Sequence, residues 1–489
     1  MSSFKPNIPL QPETFTMLVP GVSPAAAALS EQLLEKNNHD FHCFFNEKKF
    51  HNHLIHHLLA AYSLGASKEK IQEIFDYHAK DQRPLPPSVG ELTRENYTEQ
   101  LGNGDAYTSF LNLFKKEVDK YGMHDTVRRW VWSGDLLART IGGAYHPVIH
   151  IGYGLEFGIP AIVAEGLAMA ACTEPNFTGV VPKQPPLRTS SMLIPAQAQA
   201  IAENTSSAAR GYVTQFIDQL SQQISTRLKV SDNKEESTTA ETGAAKSVED
   251  DQSKDIPNFL KGNELFAVLD QIRKDPTFDS SVSFKDDQKL DAVLKDQNAL
   301  NKLKDYAAQW KIEENSTDIQ KKFKQLYTAV GLLLGSSGLR DDYPGVLRLD
   351  FFLMHAVTSA EFLHQYIPRV APSEAVSLLQ AHLIVSLIYY VARGRPNLNV
   401  RSLLNYKSPN HVEKSNNNWL DVFNKSLDCK EVHVIKVVRS CAVAQIIYGP
   451  DEDPELEQIW LKIAQMAVDL DGNWDFKGVG FDESWKEFK

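Results

Sequence analysis

Helical periodicity dominates this chain, and it constrains the fold more than any other feature. The longest clear pattern, SEAVSLLQAHLIVSLIYYVAR, is opened by Pro372-Ser373 and stopped at Gly394, with Pro396 two residues later. Pro suits the first helical position, and a Gly followed by a Pro is a helix stop. Ser23-Pro24 opens an earlier helix, AAAALSEQLLEK, which stops near Asn37-Asn38; Ser caps the free N–H groups there. A second helix is predicted from Asn52 to Leu64, closed by Gly65, and a third begins at Ser67. Segments of strict apolar and polar alternation are few. Val437–Gly449 reads as a strand or equally as a buried helix. Gly and Pro together make 50 of 489 residues, too few for a loop-rich all-β protein. The expectation is an all-α protein, a large multi-helix bundle-like domain.

That length suits two or three average domains or one large helical one. An apolar fraction of 42% and a charged fraction of 23% rule out wholesale disorder. Residues 231–255 differ in kind: four apolar residues, no aromatics, and eight acids against three lysines. Such a stretch buries too little surface to offset its ordering entropy, so it is predicted to be a disordered insertion. It carries −5 of the net charge of −11. The predicted organisation is an N-terminal arm (1–22), one helical domain (23–474) interrupted by that insertion, and a C-terminal tail (475–489). No internal repeat is evident.

An acidic chain without a basic run is a poor partner for nucleic acid or an anionic membrane surface. No uninterrupted run of 18 apolar residues occurs, so no transmembrane helix is expected. The N-terminal MSSFKPNIPLQPETF lacks an apolar core and does not read as a secretory signal. Cys43, Cys172, Cys429 and Cys441 form no CxxC pair and read as reduced thiols, consistent with a cytoplasmic protein.

The 15 histidines are not randomly placed. HNHLIHHLLAAY holds His51, His53, His56 and His57. With His53 at 0°, His57 lies at about 40° and His56 at about 300° on a helix, so the three share a face. His53 and His57 are spaced i, i+4, which lets two imidazoles reach one metal. HPVIHIGYGLEFG repeats that spacing with His146 and His150 if Pro147 begins a helix. Gly152 and Gly154 are expected to break that helix, leaving Tyr153 and Glu156 near the site. His355 sits in DFFLMHAVTSAEFL and His382 in the long helix, each among mostly apolar neighbours. A lone histidine on an apolar helix is more often a satisfied core residue than a ligand. Two i, i+4 pairs in one chain are harder to dismiss, because burying imidazoles is costly unless each nitrogen finds a partner. Nitrogen-rich ligation suits iron, zinc, copper or nickel and disfavours magnesium or calcium. The candidate metal ligands are therefore His53, His57, His146, His150, His355 and His382.

Other chemistry is sparse. GYGLEFG and GLLLGSSG fail the G-x-G-x-x-G pattern, and no P-loop, G-x-S-x-G or H-E-x-x-H occurs. No FAD or haem motif is present. Arg393 in YYVARGRP reads as an anion binder or, in preference, as a helix-end cap.

The strings HNHLIHHLLAAYSLGAS, GGAYHPVIHIGYGLEFG and YVARGRP resemble the questin oxidase-like family, which is found mainly in fungi and often in polyketide biosynthesis. The resemblance covers roughly Ser23 to Trp474 apart from the acidic insertion. It implies oxidative ring opening of an aromatic polyketide such as an anthraquinone, Baeyer–Villiger-like or dioxygenase-like. It implies molecular oxygen as co-substrate, with NADPH as a reductant for some such activities. Without a flavin or nicotinamide fingerprint, a bound metal, Fe(II), is the expected means of handling oxygen. The histidines matching the family strings are His53, His56, His57, His146 and His150. The helix Ser373–Arg393 offers no Lys, Asp or second Glu near its middle. If the family expects an anionic ligand there, this chain departs from it. Tyr153 and Glu156 are candidate proton carriers; Glu156 reads equally as a partner that fixes a histidine tautomer. Two other readings stay open: a metal-free enzyme using histidines as general bases, and a non-catalytic helical binding protein.

Overall fold

The computed structural model describes residues 16–187, 260, 262–410, 417–448 and 454–488. The predicted acidic insertion lies outside the described residues. The helices in chain order are α1 (Pro24–Asp40), α2 (Leu54–Ser63), α3 (Lys68–Ala79), α4 (Tyr107–Tyr121), α5 (Met123–Val131), α6 (Leu136–Thr140), α7 (His146–Phe157) and α8 (Pro160–Cys172). After the undescribed stretch come α9 (Glu264–Lys274), α10 (Lys289–Lys295), α11 (Gln297–Ala307), α12 (Ser316–Gly335), α13 (Phe351–Tyr366) and α14 (Pro372–Ala392). The chain closes with α15 (Val400–Leu404), α16 (Asn418–Asp428), α17 (Val432–Tyr448) and α18 (Pro454–Leu470). Among the described residues there is no β-strand, only isolated bridges such as Phe44 with His51 and Asp350 with Asp475. The protein is all-α, as its periodicity predicts.

Local signals act where the sequence places them. The Ser23 hydroxyl accepts from the Ala26 N–H at the start of α1, and Ser67 does the same for Lys70 at α3. Gly65 and Gly394 take φ of +84°, the left-handed conformation that ends α2 and α14 cheaply. Val437–Gly449, ambiguous in sequence, falls largely within α17. α14 is long and apolar enough to cross a membrane by mean hydropathy, although its sequence holds no uninterrupted run of 18 apolar residues. Its most apolar window is 89% buried inside the protein, so it serves here as the central core helix.

One expectation fails instructively. Gly152 and Gly154 do not break the helix after His146; α7 runs through both to Phe157. Their role is close approach. A Cβ on Gly152 would overlap the Phe362 side chain on α13, and one on Gly154 would lie 2.7 Å from Val163 on α8. Gly166 of α8 answers with a Cβ position 2.6 Å from Ile151. Three glycines thus let α7 lie against α8 and α13 at backbone distance. Dispersion attraction along two helix faces outweighs the ~1 kcal/mol propensity cost of each glycine.

Arg393 does both things that its sequence position allows. It is the C-cap residue of α14, and its buried Nε donates to Asp350 Oδ2 at 2.7 Å. Asp350 in turn caps α13 by accepting from the Phe352 and Leu353 N–H groups. The C-terminal tail is drawn into the same cluster. Asp475 accepts from Arg348 and Ser484 and holds the Lys477 and Gly478 N–H groups.

Candidate metal centre

Four imidazoles meet where four helices begin. His53 is the N-cap residue of α2, and His146 is the first residue of α7. His355 lies in the opening turns of α13, and His433 is the second residue of α17. One ring nitrogen from each lies within 4.8 Å of all the others. His146, His355 and His433 are buried, while His53 is half-buried.

The tautomers follow from what lies behind each ring. The Gly143 carbonyl stands 2.6 Å from His146 Nδ1, and the Phe351 carbonyl stands 2.7 Å from His355 Nδ1. A carbonyl only accepts, so both Nδ1 atoms carry the hydrogen. His433 Nδ1 donates to Glu431 Oε1 at 2.5 Å, and the Trp474 indole N–H holds the other carboxylate oxygen at 2.6 Å. Nearby His433 keeps the Glu431 carboxyl below its ordinary value, against burial that would raise it. All three Nε2 atoms therefore present bare lone pairs inward. His53 Nε2 stands 2.8 Å from His146 Nε2 and 3.1 Å from His433 Nε2. One hydrogen on His53 can satisfy only one of them. His355 Nε2 is buried and has no partner at all.

The turn feeding α7 is strained to achieve this. Ala144 and Tyr145 take φ of +50° and +64°, each a conformation that costs an L-residue roughly 1–3 kcal/mol. Gly143, also at positive φ, passes so close to His51 that a Cβ would lie 2.8 Å from its ring. His51 stacks flat on His146, with centroids 4.2 Å apart and planes 4° from parallel. That stack fixes the His146 ring.

Burial holds the cluster neutral. Desolvation pushes the His53, His146 and His355 pKa values well below the ordinary 6.5, and neighbouring imidazoles add to it. His433 is lowered as well, with Glu431 opposing the shift. The helix N-termini, positive ends of the peptide dipoles, further disfavour imidazolium. Lys436 lies one turn beyond His433; its Nζ is buried without an acceptor, and desolvation pushes it down to about 7.

Three of the six sequence candidates gather here: His53, His146 and His355. The other three do not. His57 Nδ1 meets His78 Nε2 at 2.8 Å; its N–H bonds the His53 carbonyl in helical register, yet the two rings turn to different neighbours. His150 lies one turn further into α7, bonded to His56 Nε2 at 3.2 Å and Glu165 Oε2 at 3.0 Å. His382 bonds the Ser359 hydroxyl at 2.8 Å, as a satisfied core histidine does. His433 was missed because EVHVIKVV holds a single histidine without an i, i+4 partner. Its one signal is the acid two residues before it.

The candidate proton carriers lie elsewhere too. Glu156 pairs with Arg439 and accepts from the Met17 N–H at 3.1 Å, so it fixes no histidine; Glu431 and Glu165 do that. Arg439 also binds Glu361 and donates to the Ser63 hydroxyl at 2.9 Å. Tyr153 is buried with its hydroxyl unpartnered and its ring stacked 5.3 Å from His56; burial pushes its pKa up.

Neutral burial has a measurable cost in acid. His57 and His382, at most 1% exposed, are both held at about 3 by desolvation. Unfolded imidazoles titrate near 6.5, so below that pH the unfolded chain binds protons that the native one refuses. Stability is then full above about pH 6.5 and falls as pH drops. These two residues alone should remove roughly 3 kcal/mol between pH 5.5 and 4.5. Urea unfolding across that range, repeated on a H57Q/H382Q variant, should show the slope reduced by about that amount. Equal slopes would overturn the assignment.

The chain is similar to known proteins over the span that holds these residues. A family model described as Questin oxidase-like matches residues 50–441, a span that includes all four clustered histidines. Similar curated proteins include the Baeyer-Villiger oxidase mdpL of Emericella nidulans, 27% identical over 485 residues, covering 94% of this chain and 93% of that protein. The Baeyer-Villiger oxidase ptaJ of Pestalotiopsis fici is 26% identical, covering 94% and 92%. A questin oxidase of Aspergillus terreus is 25% identical, again covering 94% and 92%.

Proposed function

This chain belongs to the questin oxidase-like family, and from that premise we propose that it is an oxygen-dependent oxidoreductase that opens a ring of a hydroxylated aromatic polyketide of the anthraquinone type, at a metal held by His53, His146, His355 and His433. The observation that carries the metal is the inward set of lone pairs. Three Nε2 acceptors face a single fourth nitrogen, and the His355 one has no donor. A cation is the species that satisfies such a set.

The donors are all imidazole nitrogens, which suits iron, copper, zinc or nickel, and the redox character of the proposed reaction favours iron. Iron bound there supplies the one-electron chemistry that lets dioxygen react with a closed-shell phenol. The protein's own contributions are separate. Gly143, Phe351 and Glu431 hold the imidazoles as Nε2 donors. The four helix N-termini favour an anionic phenolate over the neutral phenol at the same place. His53 is the one partly exposed residue of the four.

The oxygen balance separates two versions of the reaction. Baeyer–Villiger-type insertion places one oxygen atom beside the ring carbonyl and reduces the other to water, which needs two electrons from a donor such as NADPH. Dioxygenase-type cleavage places both atoms in the product and needs none. The test is elemental analysis of protein purified without a metal-affinity tag, followed by oxygen uptake with hydroxyanthraquinones with and without NADPH. About one iron per chain and substrate-dependent uptake are expected. Uptake by protein that holds no metal, even after anaerobic Fe(II) loading, would instead make the imidazoles general bases.

A further inference from the structure

One exposed aromatic is built into the rim of the cluster. Phe476 is 58% exposed. Its ring stacks on Phe351 with centroids 4.4 Å apart and planes 29° from parallel. Phe351 in turn packs edge-on against two of the four clustered imidazoles, His355 at 4.7 Å and His433 at 4.9 Å. It also meets Phe352 edge-on at 5.4 Å, and Phe352 lies under the Arg393 guanidinium. A shelf of rings thus runs from solvent to the imidazoles.

The segment carrying Phe476 is pinned on both sides. Trp474 donates to Glu431, the carboxylate that holds His433. Asp475 is buried in its ion pair with Arg348 and accepts the Lys477 and Gly478 N–H groups. Its backbone is paired with Leu349 and Phe351. An exposed phenylalanine on a mobile loop would be unremarkable. This one follows a residue anchored by buried charge pairs and rests on Phe351, which preorganises its position. It also lies beyond the residues that the family model matches.

We infer that Phe476 is a specificity-determining residue, the stacking platform on which a flat polycyclic phenol rests at the outer end of the ring chain that leads through Phe351 to His355 and His433. The inference rests on the substrate class proposed above and adds the residue that selects for planarity. Stacking is favourable for any π-face and needs no hydrogen-bond match, so the platform selects flatness and leaves regiochemistry to the imidazole end.

The test is anaerobic equilibrium binding of 1,8-dihydroxyanthraquinone to the full-length protein, read by tryptophan fluorescence quenching, with steady-state oxygen uptake alongside. Phe476→Ala should raise Kd and KM about 5- to 10-fold and change kcat less than about threefold. Phe476→Trp should stay within about twofold of the wild type, whereas Phe476→Leu, apolar but without a ring face, should bind like the Ala variant. Wild-type binding by the Ala or the Leu variant overturns the platform and leaves the substrate class standing. A wild-type protein that binds no hydroxyanthraquinone overturns the substrate class and the platform with it.

Discussion

Replacing His433 with Ala is expected to strip the protein of metal while leaving it helical. The variant loses one of four nitrogen donors and leaves Glu431 beside an empty space. Even partners that only orient a ligand are worth 10- to 100-fold in affinity, so removal of the donor itself should cost about 100-fold or more in metal affinity and at least as much in turnover. The informative contrast is with His57→Ala and His382→Ala, whose rings bond His78 and Ser359 instead. Those two should keep about one metal per chain. Metal content and circular dichroism on the three variants decide the matter, and wild-type metal content in His433→Ala would remove it from the ligand set.

The largest expected loss of stability lies away from the imidazoles, at Arg439. Its side chain is fully buried between Glu156 and Glu361, on α17, α7 and α13 respectively. Each carboxylate has further partners, Met17 N–H for one and the Ser440 hydroxyl for the other, but Arg439 is the cation they share. Arg439→Met would leave two buried carboxylates without a counter-charge, at a cost of about 3–5 kcal/mol. Converting both acids to Gln in the same background should recover most of that loss, since the charges then vanish together. The urea midpoint reads both changes; a loss under about 1 kcal/mol for the single variant would mean that the carboxylates take up protons cheaply.

Local signals made the fold readable from sequence. Ser23, Ser67, Gly65, Gly394 and Pro372 act within a turn of themselves, so their meaning needs no tertiary context. The glycines of α7 were misread for the opposite reason. Gly152 signals a break locally, and only the approach of Phe362, more than 200 residues away in sequence, turns it into a packing device. The site was half legible in the same way. His53, His146 and His355 stand in segments whose apolar character betrays burial. Periodicity, however, predicts which residues share a face of one helix, and this cluster draws one residue from each of four. Hence His57 and His150, correct in spacing, point to other partners, and His433, alone in its helix, was invisible.

The order of the donors along the chain has a consequence for biosynthesis. The separations are 93 residues from His53 to His146, 209 from there to His355, and 78 more to His433, as the numbering gives. A nascent chain that has emerged as far as α8 holds two of the four nitrogens, too few to close a shell around an ion. The Trp474 that steadies Glu431 comes later still. On the proposed reading of the four imidazoles, metal capture would thereby wait until nearly the whole polypeptide has been made. An ion arriving then would tie three long loops at once, so that its departure and the unfolding of the helical core become one event.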